Sequence, residues 1–158
     1  MSKLVIHGLY KVKDKYFRDF QNPFWVDNKN ENRPYYYLMQ DPDGIEWLIP
    51  MSSQTENYKV KIENIEKRRG RGNCTYYHIG KIATKERVFL ISDMFPITSE
   101  YIKNPFFIGQ IHYIVKDESL NRVIYSKAMR YLSLVEGKKI SSRNDIMGIK
   151  AALLAKRN

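Results

Sequence analysis

Two neighbouring hydroxyls, Ser52 and Ser53, close an apolar run, Glu46-Trp47-Leu48-Ile49-Pro50-Met51, just ahead of the most basic segment of the chain. A buried strand that ends on serines is a rigid way to hold hydroxyl donors. The commoner use of Pro-Met-Ser-Ser is a strand end that turns into a helix with one serine as its N-cap. Arg33 stands just before a second apolar run, residues 35–40, which Asp41-Pro42-Asp43-Gly44 joins to residues 45–50. Proline suits the second position of a type I turn and glycine the left-handed position that closes a hairpin, so these runs are expected to pair. In an antiparallel pair the start of one strand faces the end of the next, which sets Arg33 beside Ser52 and Ser53.

The chemistry open to such a set is narrowed by what the sequence lacks. It has no phosphate-binding Gly-x-x-x-x-Gly-Lys-Ser/Thr loop, no dinucleotide Gly-x-Gly-x-x-Gly, no His-Glu-x-x-His and no paired-cysteine zinc pattern. His7, His78 and His112 are scattered through apolar runs, where core or edge histidines are expected. The carboxylates are dispersed, and Asp41 and Asp43 are accounted for by the turn. No metal and no cofactor is expected. RNA cleavage without a metal remains open, because the ribose 2′-hydroxyl is itself the nucleophile. The protein then supplies cationic and hydroxyl donors to the phosphorane oxygens and a way to splay the strand. Arg33, Ser52, Ser53 and nearby lysines are the candidate donors. Arginine is a poor general base at neutral pH, so Arg33 is assigned to phosphate stabilisation.

With 158 residues the chain is expected to form one domain, residues 1–158. Its formal net charge is +10, unevenly spread. Residues 1–55 hold seven basic and seven acidic side chains, residues 56–87 nine and four, and residues 88–158 eleven and six, so the excess begins just after Ser53. That balance favours a polyanionic partner. The single cysteine, Cys74, precludes an internal disulfide and suggests a reducing, cytoplasmic setting, with Cys74 as a small buried hydrophobe. The N-terminal apolar run is too short for a signal peptide, no segment approaches a membrane span, and no membrane association is expected. Twelve tyrosines suit both a packed core and stacking on unpaired bases.

Residues 4–10 read as a first strand and 13–20 as a short amphipathic helix. Residues 21–33, with four asparagines and a proline, read as a long loop of the kind that is often functional. After the hairpin, residues 56–69 read as a helix with Tyr58, Ile62 and Ile65 inward, ended by Gly70. Residues 76–83 and 87–92 form a strand pair around Thr84-Lys85-Glu86, with Ser99 capping a short turn after it. Residues 106–116 are ambiguous between strand and helix. Residues 118–135 repeat apolar positions at helical spacing and Gly137 closes them; Ser142 with Asp145 suggests a capping box for a last helix to about Lys156. Strands first and helices later give an α+β fold.

At this point the residues carry a resemblance. The succession Arg33-Pro34-Tyr35, an apolar strand, Asp43-Gly44, Trp47-Leu48-Ile49-Pro50-Met51-Ser52-Ser53, then Gly80-Lys81-Ile82 and Ile91-Ser92-Asp93-Met94-Phe95-Pro96-Ile97, resembles the ToxN, AbiQ and CptN family of type III toxin-antitoxin endoribonucleases. The match runs over residues 4–135 and is densest between 33 and 98. It implies a twisted antiparallel sheet with a barrel-like core related to Kid and MazF, partly wrapped by helices. It implies metal-independent cleavage of single-stranded RNA, both mRNA and the antitoxin precursor, to 2′,3′-cyclic phosphate and 5′-hydroxyl ends. The implied inhibitor is a small repeat-derived RNA pseudoknot held in a closed protein and RNA assembly. Residue by residue, the family's hydroxyl pair falls on Ser52 and Ser53 and its basic residue on Arg33. A family lysine expected near Thr55 and a tyrosine expected near Lys29 have no match, which leaves Lys29, Lys59 or Lys61 to take a cationic role; Lys59 is placed in the catalytic set. Lys29, Lys61, Lys67, Arg68, Arg69, Arg71 and Lys81 are the expected RNA contacts. The rival reading is an RNA-binding module without chemistry, in which the serines are a helix cap and nothing more.

Overall fold

The hairpin expected from the sequence is the centre of the molecule. In a computed structural model that describes residues 3–157, β2 (Tyr35–Gln40) pairs antiparallel with β3 (Glu46–Ser52), Tyr35 opposite Pro50 and Gln40 opposite Glu46, with a bulge at Leu38. Both strands are almost wholly buried, β3 from Glu46 through Met51. On its other edge β3 changes partner along its length. Residues 46–48 pair with β6 (Phe95–Ile97), and Met51 and Ser52 pair with β5 (Lys85–Phe89). Pro50 sits at the changeover. Its carbonyl accepts from Leu90 N–H, so its missing N–H faces the gap between the two partners and no ladder bond is lost.

The sheet order is β4 (His78–Ile82), β5, β3, β2, β1 (Leu9–Val12) and β7 (Ile102–Pro105), with β6 laid against β3; every pair is antiparallel. A small separate hairpin, β8 (Phe107–Ile108) with β9 (Ile111–His112), follows β7. Helix α1 (Asp14–Asp19) follows β1, and α2 (Thr55–Arg69) packs on β4 and β5. Helix α3 (Glu118–Glu136) lies over the 3-10 turn at Ile91–Asp93, and α4 (Ile146–Arg157) packs on β6. The core runs unbroken from the sheet into α3 and α4, including a cluster of Tyr16, Tyr35, Phe95 and Tyr101. The result is the α+β fold expected: a largely antiparallel sheet partly wrapped by helices.

Several local expectations are corrected. The first strand starts at Leu9; residues 4–8 form a turn with His7 in the left-handed region, φ 67°. Residues 106–116 resolve as the β8–β9 hairpin with an isolated bridge from Gly8 to Ile114. Thr98, not Ser99, precedes the short 3-10 turn. The last helix starts at Ile146, with Ser142 Oγ accepting from Ile146 N–H at 3.1 Å and the Asp145 carboxylate from Gly148 N–H at 3.3 Å, so both expected residues serve its start, which lies later than a capping box at Ser142 would set it. Gly137 closes α3 as expected, its N–H donating to Ser133 O, but at φ −78°, and Lys138 takes the left-handed conformation. Tyr58, Ile62 and Ile65 face the sheet only half-buried, so α2 is a thin cover with no buried residue. Tyr35, Tyr36 and Tyr37 are core, unavailable for stacking on bases. Cys74 is buried, as expected.

Candidate active site

The open end of the hairpin, opposite its turn, brings Arg33 to the end of β3. Its guanidinium forks two backbone carbonyls, Nη2 donating to Met51 O at 2.6 Å and Nη1 to Asp27 O at 2.9 Å. Nε is buried and has no partner among the described residues. Arg33 therefore ties the loop 21–34 to the strand that carries the serines. Ser52 is half-buried and Ser53 exposed. Neither is the N-cap of α2. Ser52 Oγ accepts from Gln54 N–H at 3.1 Å, Thr55 N–H donates to Ser53 O at 2.9 Å, and Gln54 takes the cap position, its side chain accepting from the Asn57 side chain at 3.4 Å and from no helix backbone N–H. The strand runs one residue further than a capping serine would allow, and the pair lies in the tight turn between β3 and α2. Because Ser52 Oγ accepts that bond, its own hydrogen stays available to donate.

Lys29 reaches the same place through backbone strain. Lys29, Asn30 and Glu31 are three successive non-glycine residues with positive φ, 51°, 57° and 66°. Each such residue costs on the order of 1 kcal/mol. The turn is held by Asn32 N–H to Lys29 O and Arg33 N–H to Asn28 O. It is also held by Glu31, which accepts from Asp14 N–H at 2.7 Å and pairs with Lys103 at 3.2 Å. Just before it, buried Asn28 donates to Val12 O and Asp14 and accepts from the Tyr35 hydroxyl. Strain held this firmly is commonly found at functional sites.

Arg33, Lys29, Ser52, Ser53 and Gln54 line one cleft of about 600 Å³. Ala83 and Thr84 from the turn of the β4–β5 hairpin and Lys85 and Arg87 of β5 also line it, with Leu9, Phe106 and Ile108 among its apolar residues. The lining holds two lysines, two arginines and no carboxylate. Lys85 and Arg87 escape a reading of the sequence because it sets the turn two residues late. The actual turn is Ala83-Thr84, with Ala83 left-handed at φ 57° and Ile82 opposite Lys85. Lys85 is therefore a strand residue, and the period of two turns Lys85 and Arg87 to the cleft and Glu86 to the other face. The missed signal is the alternation Lys-Glu-Arg itself.

Glu86 meets α2 there. Lys59 pairs with Glu86 at 3.3 Å and with Glu56 at 3.1 Å, outside the cleft. Hydrogen bonds to Glu56, then Glu86, hold its ammonium above the usual lysine range. Lys61 stands over the Tyr58 ring at 4.6 Å and Arg69 over Tyr76 at 5.7 Å. Lys67 approaches Glu63 at 3.9 Å. Lys61, Lys67, Arg68, Arg69 and Arg71 are all exposed along α2 and the glycine-rich turn after it. Lys81 lines a neighbouring cavity. The structure thus unites Arg33, Ser52, Ser53 and Lys29, and sets Lys59, Lys61, Lys67, Arg68, Arg69, Arg71 and Lys81 outside the cleft.

The histidines lie elsewhere. His7 stacks on Tyr36, His78 contacts Lys127 Nζ at 3.1 Å, and His112 Nε2 is 2.9 Å from Leu9 O. Among the described residues no group of three or more His, Cys, Asp or Glu side chains is arranged to hold a metal ion, and no helix is long and apolar enough to cross a membrane.

Fold and cleft together define an α+β protein with a twisted antiparallel sheet and a cationic cleft at the open end of its central hairpin. The same fold is found in AbiQ, a lactococcal anti-phage endoribonuclease belonging to the type III toxin-antitoxin system. The likeness covers 94% of this chain and 98% of AbiQ, with a TM-score of 0.61 at 16% sequence identity. No family model matches the sequence, and no curated protein does.

Proposed function

We propose that this protein is the toxin of a type III toxin-antitoxin system, an endoribonuclease that cuts single-stranded RNA without a metal. The observation that carries the reading is the meeting of Arg33, Lys29, Lys85 and Arg87 with Ser52 and Ser53 in one carboxylate-free cleft; AbiQ, an endoribonuclease, has the same fold. The 2′-hydroxyl attacks the adjacent phosphorus and the 5′-oxygen leaves, giving a 2′,3′-cyclic phosphate and a 5′-hydroxyl. The phosphorane carries more negative charge than the diester it comes from, so fixed cations and hydroxyl donors favour it over the ground state. Arg33 is held in place by two carbonyls and acts as charge stabiliser; Ser52 and Ser53 donate to the non-bridging oxygens. Lys59, paired with Glu56 and Glu86 outside the cleft, has no part in the chemistry.

Substrates are mRNA and the antitoxin precursor. The inhibitor is a folded RNA, a small repeat-derived pseudoknot, held on the exposed basic surface of Lys61, Lys67, Arg68, Arg69 and Arg71 in a closed protein and RNA assembly. Buried Cys74, the single cysteine, fits a cytoplasmic setting. Purified protein incubated with A-rich single-stranded RNA in EDTA tests the reading. Cyclic-phosphate ends are expected; intact RNA retained in a salt-dependent way would identify a binding module without chemistry. Expression alone is expected to arrest bacterial growth, and unchanged toxicity of Ser53→Ala would place the chemistry elsewhere.

A further inference from the structure

Next to the cleft lies a second cavity of about 530 Å³ that shares two of its wall residues, Ala83 and Ile108. The two spaces are thus one side chain apart. Ile111, Tyr113, Ile114 and Val115 complete the apolar part of the second wall, and Lys81 and Lys116 add cations to it. Its one carboxylate, Asp117, accepts from Leu120 N–H at the start of α3 and so is partly engaged. The Tyr113 ring is fixed by its hydroxyl, which accepts from Ala83 N–H at 2.6 Å.

The hairpin between the cavities is apolar where a surface hairpin is ordinarily polar. Ile108 is 43% and Ile111 75% exposed, directly opposite each other in the hairpin register, and Ile108 also lines the cleft that holds Lys29, Arg33, Lys85 and Arg87. Patches of that kind mark binding surfaces. A polyanion with flat apolar faces matches both features at once: phosphates to the cations, unstacked bases to the aliphatic and aromatic side chains. From this charge complementarity and the continuity of the two walls, and resting on the endoribonuclease reading of the cleft, we infer that the cavity of Ile108, Ile111 and Tyr113 seats the nucleobase adjoining the scissile phosphate. Lys81 and Lys116 hold the phosphate beyond it, and Ile108 is the wedge that splays the two nucleotides. Splaying brings the 2′-oxygen, phosphorus and leaving oxygen toward a line, so the residues of the hairpin are positioning and specificity residues.

The test uses the full chain and two RNA probes. On an A-rich oligoribonucleotide that the parent cuts, an abasic ribonucleotide beside the cut is expected to lower kcat/KM about ten-fold or more on one side only. Ile111→Ser with Lys81→Gln is expected to lower it similarly on intact RNA and to show almost no further loss on the abasic probe. Independent multiplication of the two losses, or parental cleavage by the variant, would overturn the subsite. The second probe is a 2′-O-methyl version carrying 4-thiouridine, which cannot be cleaved and so reports on binding whether or not the protein is a nuclease. Photocrosslinking within residues 107–116 is expected, and crosslinks confined to α2 would overturn the inference. Concentration-dependent dimerisation abolished by Ile111→Ser, with RNA crosslinking unchanged, would assign the patch to a second copy of the chain instead. Absence of cleavage by the parent with a crosslink at 107–116 would reject the nuclease reading alone.

Discussion

The two ends of one hairpin solve opposite problems. At the turn end every strong group is matched. Asp41 accepts from Asp43 N–H, Ile45 N–H and Trp47 Nε1, and pairs with Lys150 at 2.9 Å. Arg157 forks Asp43 O and Gly44 O, both at 2.7 Å, so α4 locks the turn it packs beside. At the open end Arg33 also forks two carbonyls, yet Lys29, Lys85 and Arg87 line the same cleft with it and no carboxylate does. Like charges gathered in this way repel, and an anion entering the cleft relieves them. Matched charge holds the register; unmatched charge waits for a polyanion.

That contrast predicts where stability and activity separate. Asp41→Ala strands a buried indole N–H and two backbone N–H groups and leaves Lys150 paired with Asp43 alone. It is expected to cost about 4 kcal/mol in denaturant unfolding while the folded fraction keeps its cleavage rate. Arg33→Ala reverses the pattern, with cleavage down about 100- to 1000-fold and a stability loss of about 1–2 kcal/mol. Arg33→Lys does not rescue it, since one ammonium cannot span both carbonyls. Lys85→Gln or Arg87→Gln is expected to weaken RNA binding by roughly ten-fold and to reduce the salt dependence of binding by about one counterion. Lys59→Gln, outside the cleft, should change cleavage by less than about two-fold.

Acid should open the two ends in different windows. His78 on β4 is pushed down to about 4, by burial first and then by Lys127. The unfolded chain then binds that proton more readily, so the stabilisation is complete above about 6.5 and is lost as pH falls toward 4. For Asp41, burial raises the carboxyl but bonds from Trp47, Lys150 and Ile45 outweigh it and the net shift is downward. Its contribution is complete above its ordinary 3.8 and is lost only as pH falls through the lower folded value. Amide exchange corrected for intrinsic pH dependence should show β4 and β5 loosening between pH 6.5 and 4 with residues 43–47 still protected. Simultaneous loosening would remove the distinction.

The central pair of strands was legible because Pro42 and Gly44 specify a turn and the flanking runs specify strands; their register then fixes Arg33 beside Ser52 without tertiary information. Helix α3 was legible for the same local reason. Lys85 and Arg87 were not, because a left-handed alanine makes the β4–β5 turn and nothing in Ala-Thr-Lys-Glu marks it. The strained turn at Lys29 was equally hidden, being held by Glu31, Lys103 and Asp14 from distant parts of the chain. Lys59 was placed in the catalytic set as a stand-in for a family lysine with no match near Thr55, whereas the helix turns its ammonium to Glu56 and Glu86. Ser52 and Ser53 looked like caps because a basic helix follows, and the intervening Gln54 removes them from that role.

The central claim is that the open end of the hairpin is a catalytic centre. The most direct measurement is the single-turnover rate at saturating RNA, in EDTA, for the parent and for Ser52→Ala combined with Ser53→Ala. Ser52 and Ser53 make few side-chain contacts, so the melting temperature of the double variant should stay within a few degrees of the parent. The account predicts a rate at least about 100-fold lower with RNA binding retained. Cleavage at the parental rate by that folded, RNA-binding variant would contradict it.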